Sequence, residues 1–66
     1  MAQYWVVVGG RQVGLPSPHE EDAKQLLRDH LAAEPSIEAY IEVYDGSNPM
    51  MKMSWDRAAS KWVVAS

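Results

Sequence analysis

The stretch from Ser36 to Asp45 alternates strictly between aliphatic side chains and acidic or aromatic ones. The aliphatic positions are Ile37, Ala39, Ile41 and Val43, and the positions between and after them are Glu38, Tyr40, Glu42 and Tyr44. Because successive side chains of an extended chain point to opposite sides, the pattern predicts a β-strand with two different faces. The aliphatic face must be buried, so the other elements can be placed relative to this strand.

The chain length restricts the fold to one small domain. It has 66 residues, and a chain of about this length buries only about 60% of the surface that its unfolded form exposes. There is no cysteine, so neither disulfides nor thiolate ligands contribute, and a reducing compartment is favoured. The apolar run that ends at Val8 is too short for a membrane span and lacks the basic start of a signal peptide. We therefore expect a cytoplasmic protein that does not enter a membrane.

The beginning of the chain predicts a β-hairpin. Gln3 to Val8 is rich in Tyr, Trp and Val, and Gly9-Gly10 supplies the positive φ angles that a two-residue hairpin turn requires. The predicted cross-strand pairs are Val8 with Arg11, Val6 with Val13, and Tyr4 with Leu15.

The next segment has the signals of an amphipathic helix. Ser17 is placed to cap it, Pro18 suits its first turn, and Glu20 completes a capping box. Pro35 is expected to end the helix near Ala33. The residues on its single apolar stripe, spaced three and four apart, are Ala23, Leu26, Leu27, His30 and Leu31.

The last third of the chain predicts two more strands. Asp45 to Pro49 is a cluster of turn-forming residues that we expect to form a five-residue loop before a strand at Met50 to Asp56. Arg57 to Ser60 then forms a tight turn before a final strand, Lys61 to Ala65. The predicted pairs are Val43 with Met51, Ile41 with Met53, Ala39 with Trp55, Glu42 with Lys52, Asp56 with Lys61, Trp55 with Trp62, and Met53 with Val64.

These elements predict an α+β fold in one domain spanning residues 1–66, with the order ββαβββ. One α-helix packs on one face of an antiparallel β-sheet. The first and last strands are the most apolar, so we expect them to be central and adjacent. The residues predicted to face the helix are Tyr4, Val6, Val8, Val13, Leu15, Ile37, Ala39, Ile41, Val43, Met51, Met53, Trp55, Trp62 and Val64.

One helix cannot cover both faces of the sheet, so the face opposite the helix, here called the distal face, is expected to be open. The residues predicted to lie there as a protein-binding surface are Trp5, Val7, Tyr40, Tyr44, Met50 and Val63, among Glu38, Glu42, Lys52 and Lys61. Aromatic and Met residues surrounded by charges are typical of the centres of protein interfaces. We expect either a homo-oligomer such as a homodimer, or an accessory, regulatory or inhibitor protein that docks on a protein partner.

Two other interpretations of this surface remain open. An antiparallel sheet also carries scattered apolar side chains on its solvent face without any binding role. A terminal edge strand that pairs with a partner's sheet would be a second route to protein binding.

The alternative function is nucleic-acid binding, through base stacking on the distal aromatic residues or through the C-terminal hairpin. The cations available for it are Lys52, Arg57 and Lys61. Glu38 and Glu42 would repel phosphates, and the net charge of −3 includes no cluster of Lys and Arg.

No enzyme, cofactor or metal site is expected. His19 and His30 are separated by about 16 Å along the helix at ~1.5 Å per residue, too far to share a metal ion. Gly9 to Gly14 lacks the spacing of a phosphate-binding loop. The acidic residues Glu20 to Asp22 are explained by the positive end of the helix dipole.

Overall fold

The chain folds as an antiparallel β-sheet of five strands with one α-helix packed on one face, in a computed structural model that describes residues 2–65. The elements are β1 (Ala2–Val8), β2 (Arg11–Ser17), α1 (Glu20–Ala33), β3 (Ala39–Asp45), β4 (Asn48–Asp56) and β5 (Lys61–Ala65). The predicted α+β class and the order ββαβββ are confirmed.

The strand order is β2-β1-β3-β4-β5, so the prediction that the first and last strands are adjacent is wrong. β1 pairs with β3 along its whole length, from Ala2 opposite Asp45 to Val8 opposite Ala39. The helix lies over β1, β2 and β3 and carries the chain from one side of β1 to the other. A short turn holds β5 beside β4, and β5 lies at the edge of the sheet. The prediction failed because the apolar composition of a strand does not by itself place that strand in the centre of a sheet.

The core forms between α1 and the aliphatic face of the sheet. Ala23 and Leu27 of the helix pack on a cluster formed by Val6, Ile41, Val43 and Met53, all of them buried. Leu27 and Ile41 are fully buried, and burying one such side chain stabilises a fold by about 1.5–3 kcal/mol. The partly buried residues around this cluster are Ala2, Tyr4, Val8, Val13, Leu26, Leu31, Ala39, Met51, Trp55 and Trp62.

A bulge in β2 changes one predicted pair. Val6 faces Val13 as predicted, but Tyr4 faces Ser17 rather than Leu15. Gly14, with a φ of 69°, adopts the left-handed conformation that lets the strand depart from regular pairing. Leu15 is consequently 89% exposed, so its predicted place in the core is wrong.

The β3–β4 connection is tighter than predicted. Asp45 faces Asn48 across a two-residue turn, Gly46-Ser47, so the predicted five-residue loop is wrong. The register then shifts at Met50, because Tyr44 faces Pro49 while Val43 faces Met51. This bulge restores the predicted pairs of Val43 with Met51, Ile41 with Met53 and Glu42 with Lys52, and the three predicted β4–β5 pairs are also confirmed.

Both ends of the segment between β2 and β3 differ from the prediction by a few residues. The N-cap residue of the helix is His19 and not Ser17, and no side chain makes a capping hydrogen bond there. Ser17 ends β2, where its Oγ accepts a hydrogen bond from the His19 N–H at 3.0 Å. Helix α1 ends at Ala33, as predicted, but β3 begins at Ala39, so Ile37 precedes the strand in which it was placed.

Candidate functional site

The distal face is formed by the side chains that alternate with the core residues of β1 and β3. Trp5 lies opposite Glu42, and Val7 lies opposite Tyr40, while the intervening Val6 is buried under the helix. Among residues 2–65, no further helix or strand packs on this face. The alternation therefore places Trp5, Tyr40 and Tyr44 together on the side away from the helix.

Trp5 and Tyr44 form an edge-to-face aromatic pair, with ring centroids 6.4 Å apart and an interplanar angle of 70°. The Tyr44 hydroxyl also donates a hydrogen bond to Glu42 Oε2 at 3.0 Å. This hydrogen bond is the largest cause of a raised pKa for Tyr44, followed by desolvation and by the charges of Glu42 and Tyr40. The phenol therefore stays protonated at neutral pH. The ring of Tyr44 contacts Trp5, and its hydroxyl contacts Glu42.

Tyr40 is covered by a cation. Lys52 Nζ lies 4.8 Å from the centroid of the Tyr40 ring, a cation–π contact. Lys52 is also the cross-strand partner of Glu42, so the two opposite charges are neighbours in the sheet. The centre of the distal face is consequently aromatic, with one positive and one negative group beside the rings.

The remaining residues predicted for the binding surface differ in their exposure. Val7 is only 3% exposed, so it supports the distal face from within and does not offer its side chain to a partner. Met50, at the β4 bulge, is 49% exposed, and Val63, on β5, is 40% exposed. Val63 lies two strands from Tyr40, about 10 Å across the sheet at ~4.8 Å per strand.

Two open depressions on this side of the sheet meet at Lys52 and Ala65, where β5 ends. One of about 340 Å³ is lined by Glu42, Pro49, Met50, Met51, Lys52 and Ala65. The other, of about 310 Å³, is lined by Glu38, Ala39, Tyr40, Lys52, Ser54 and Ala65. The sequence analysis missed Pro49, Ser54 and Ala65. The period-two pattern of β4 and β5 could have identified Ser54 and Ala65, but Pro49 joins the surface only because of the bulge.

The cations of the alternative, nucleic-acid-binding interpretation are divided between the distal face and the β4–β5 hairpin. Lys52 belongs to the distal face, and Lys61 begins β5 opposite Asp56. Arg57 lies in the β4–β5 turn, where its Nη1 contacts the Pro35 carbonyl oxygen at 3.5 Å. The structure therefore does not bring the three cations together.

A metal-binding cluster and a membrane-spanning helix are both absent from the described residues. Between residues 2 and 65, no three His, Asp or Glu side chains are grouped so as to hold a metal ion. In the same range, no helix is long and apolar enough to cross a membrane.

Comparison with protein-family models, with curated proteins and with solved structures gives no match to this chain. Its function must therefore be inferred from the geometry and chemistry of its own surface.

Proposed function

We propose that the protein is a non-enzymatic interaction module that binds a protein partner through the distal face. The observation that carries this proposal is the grouping of Trp5, Tyr40 and Tyr44 on a face that no other described element covers. Large aromatic side chains contribute much of the binding energy at protein interfaces. Such a surface supports a role as an accessory, regulatory or inhibitor protein.

The contacts within the distal face favour binding because they fix the rings in advance. Trp5 is held against Tyr44, Tyr44 is hydrogen-bonded to Glu42, and Tyr40 lies under Lys52. A side chain that is already ordered loses less conformational freedom when a partner binds, and this raises the affinity. The exposed Met50 extends the apolar part of the surface with a side chain that adapts to different partners.

The charges around these rings favour a protein over a nucleic acid. Glu38 and Glu42 alternate with the tyrosines along the chain, and the whole chain has a net charge of −3. Binding to a phosphate backbone draws much of its strength from clustered Lys and Arg. Nucleic-acid binding through Lys52, Arg57 and Lys61 is therefore the alternative function. The absence of cysteine fits a role in the cytoplasm.

Affinity capture with matched variants tests the proposal. The immobilised protein is exposed to nuclease-treated lysate of its source organism, in parallel with Trp5→Ala, Tyr40→Ala and the control Leu15→Ala. Leu15 is 89% exposed on the bulge of β2 and is not one of the residues assigned to the distal face, so its replacement removes an apolar side chain that the proposal does not use. We expect a specific protein that is retained by the wild type and by Leu15→Ala and is lost with both aromatic variants. Circular dichroism verifies that each variant is folded.

Any one of three results would overturn the proposal. The first is a bound protein that all variants retain equally, and the second is no bound protein at all. The third is retention of single-stranded nucleic acid in a low-salt filter-binding assay that Tyr40→Ala abolishes, which would establish the alternative function instead.

A further inference from the structure

The two edges of the sheet are built differently. The β2 edge is interrupted by the bulge at Gly14 and contains Pro16, which has no N–H to donate. β5, at the other edge, is a regular strand of sequence KWVVA without glycine or proline, and its one charged residue is Lys61. Edge strands are usually protected from pairing with other chains by bulges, prolines or charges. β2 has such protection and β5 has almost none.

β5 also exposes apolar side chains on both of its faces. Val63 is 40% exposed on the distal face, and Val64 is 58% exposed on the helix side. Val64 faces Met53 as the sequence predicts, but helix α1 lies over β1, β2 and β3 and leaves this position uncovered. On the helix side of β5, Lys24 reaches only as far as Trp62, with Nζ 5.3 Å from the ring centroid.

We propose that β5 pairs antiparallel with β5 of a second copy of this chain, so that the two sheets form one continuous sheet across a two-fold axis. In an antiparallel pair, directly opposite residues point to the same face. When β5 pairs with itself, two opposite residues satisfy this rule only if their residue numbers add up to an even number. The register in which opposite residue numbers add up to 126 is the one that pairs all five residues of the strand.

This register makes the strand complementary to itself. Val63 lies opposite Val63 of the second copy at the axis, and Trp62 lies opposite Val64, which covers the most exposed large apolar residue of the strand. Lys61 lies opposite Ala65, so no like charges are opposed. A shift that centres the axis on Lys61 would place the two lysines against each other. These matches identify the occupant of the edge as a second copy.

The inference is independent of the role proposed for the distal face, because it concerns the sheet edge and β5 pairing can occur with or without a distal partner. The two-fold axis is perpendicular to the sheet, so both helices lie on one side of the dimer. The two aromatic faces lie together on the other side. If both proposals hold, the dimer presents two distal binding surfaces in the same direction.

Site-specific disulfide formation tests the register, since the chain has no cysteine of its own. At the axis, opposite Cα atoms lie about 4.5–5.5 Å apart, within the range that a disulfide spans. Val63→Cys is therefore expected to form a covalent dimer under mild oxidation. The control Ala65→Cys lies on the same face of the same strand, but its two copies are about 13 Å apart at ~3.3 Å per residue. We expect Val63→Cys to crosslink at least about tenfold faster, and equal rates for the two variants would overturn the proposal.

Sedimentation velocity over a range of concentrations provides a second test that requires no crosslink. The wild type is expected to shift from monomer to dimer as its concentration rises. Val64→Lys should abolish the shift, and Leu15→Lys, the same type of change at an even more exposed position on the opposite edge, should leave it unchanged. A wild type that stays monomeric at millimolar concentration, or a dimer that persists in folded Val64→Lys, would contradict the pairing. A wild type that forms this dimer but captures no partner on its distal face would refute the proposed function alone.

Discussion

Trp5 on β1 and Tyr44 on β3 contact each other edge to face although they are not direct cross-strand partners. Trp5 faces Glu42, and Tyr44 faces Gln3, so the aromatic contact is diagonal. Glu42 accepts the hydrogen bond of the Tyr44 hydroxyl and thereby orients the ring toward Trp5. The sheet register and one hydrogen bond together produce an aromatic surface that is ordered before any partner binds.

The first prediction is that Trp5 and Tyr44 are energetically coupled. In a double-mutant cycle of Trp5→Ala and Tyr44→Ala, urea unfolding should give a coupling free energy of about 0.5–1.5 kcal/mol, because edge-to-face pairs add to the effect of buried area. Tyr40→Ala in place of Tyr44→Ala is the control, and its coupling to Trp5→Ala should be smaller. Strictly additive losses for Trp5 and Tyr44 would show that their contact is not stabilising.

The second prediction concerns the pKa of Tyr44, which the hydrogen bond to Glu42 raises. Titration of phenolate absorbance, with Tyr44→Phe used to assign the signal, should show that Tyr44 ionises above the ordinary value of about 10. Glu42→Gln should lower that pKa. Titration of Tyr44 at or below the ordinary value would show that the hydrogen bond to the carboxylate does not form.

The same shift predicts how stability depends on pH. A raised pKa means that the folded state favours the neutral phenol, so its contribution is complete below the unfolded pKa of about 10. It is lost as the pH rises through the folded value. The difference in unfolding free energy between the wild type and Tyr44→Phe should therefore be constant near neutral pH and decline above about pH 10. Urea titrations in this range measure it, and a difference that grows with pH would have the wrong sign.

A third prediction compares two leucines with opposite environments. Leu27 is fully buried in the core, whereas Leu15 is 89% exposed. Leu27→Ala should lower the unfolding free energy by about 2–5 kcal/mol, because it removes buried surface and leaves a cavity. Leu15→Ala should change it by no more than about 0.5 kcal/mol. Equal losses in urea unfolding would contradict the placement of Leu15 on the bulge.

The fourth prediction tests the conformation of that bulge. Gly14 has a φ of 69°, and a Cβ added there would meet Leu26 Cδ2 at an ordinary 3.5 Å, so the cost of Gly14→Ala is in the backbone. We expect a loss of about 1–2 kcal/mol in urea unfolding and a smaller loss for Gly14→Asn. Ser60, with a φ of 53°, offers the reverse comparison, because Ser60→Gly should be neutral or stabilising. A neutral Gly14→Ala would show that residue 14 is not held in the left-handed region.

Period-two alternation predicted most of the sheet from the sequence. It assigned the core residues Ile41 and Val43, the β4–β5 register and the distal position of the aromatic residues, because strand geometry leaves each side chain only two directions. The same rule failed at Leu15 and Pro49, where bulges add residues to one strand and not to its partner. A positive-φ glycine is compatible with a turn, a bulge or a cap, so Gly14 did not reveal which one it forms.

The strand order depended on tertiary contacts that composition does not specify. β5 is as apolar as a central strand, and the exposure of Val64 becomes evident only when the position of α1 is known. Similarly, Val7 could be assigned to the distal face but not recognised as buried, because its burial depends on the strands on both sides of β1. The sequence thus predicted the face that could bind a partner more fully than it predicted the accessibility of each residue.

The dissociation constant of the complex with the captured partner tests the central claim most directly. Isothermal titration calorimetry would compare the wild type with Trp5→Ala, Tyr40→Ala and the control Leu15→Ala, each verified to be folded. A central aromatic anchor contributes at least about 2 kcal/mol, so we predict that each aromatic variant binds about thirtyfold more weakly or worse while Leu15→Ala binds as the wild type does. Dissociation constants within about twofold of the wild type for both aromatic variants would contradict binding through the distal face.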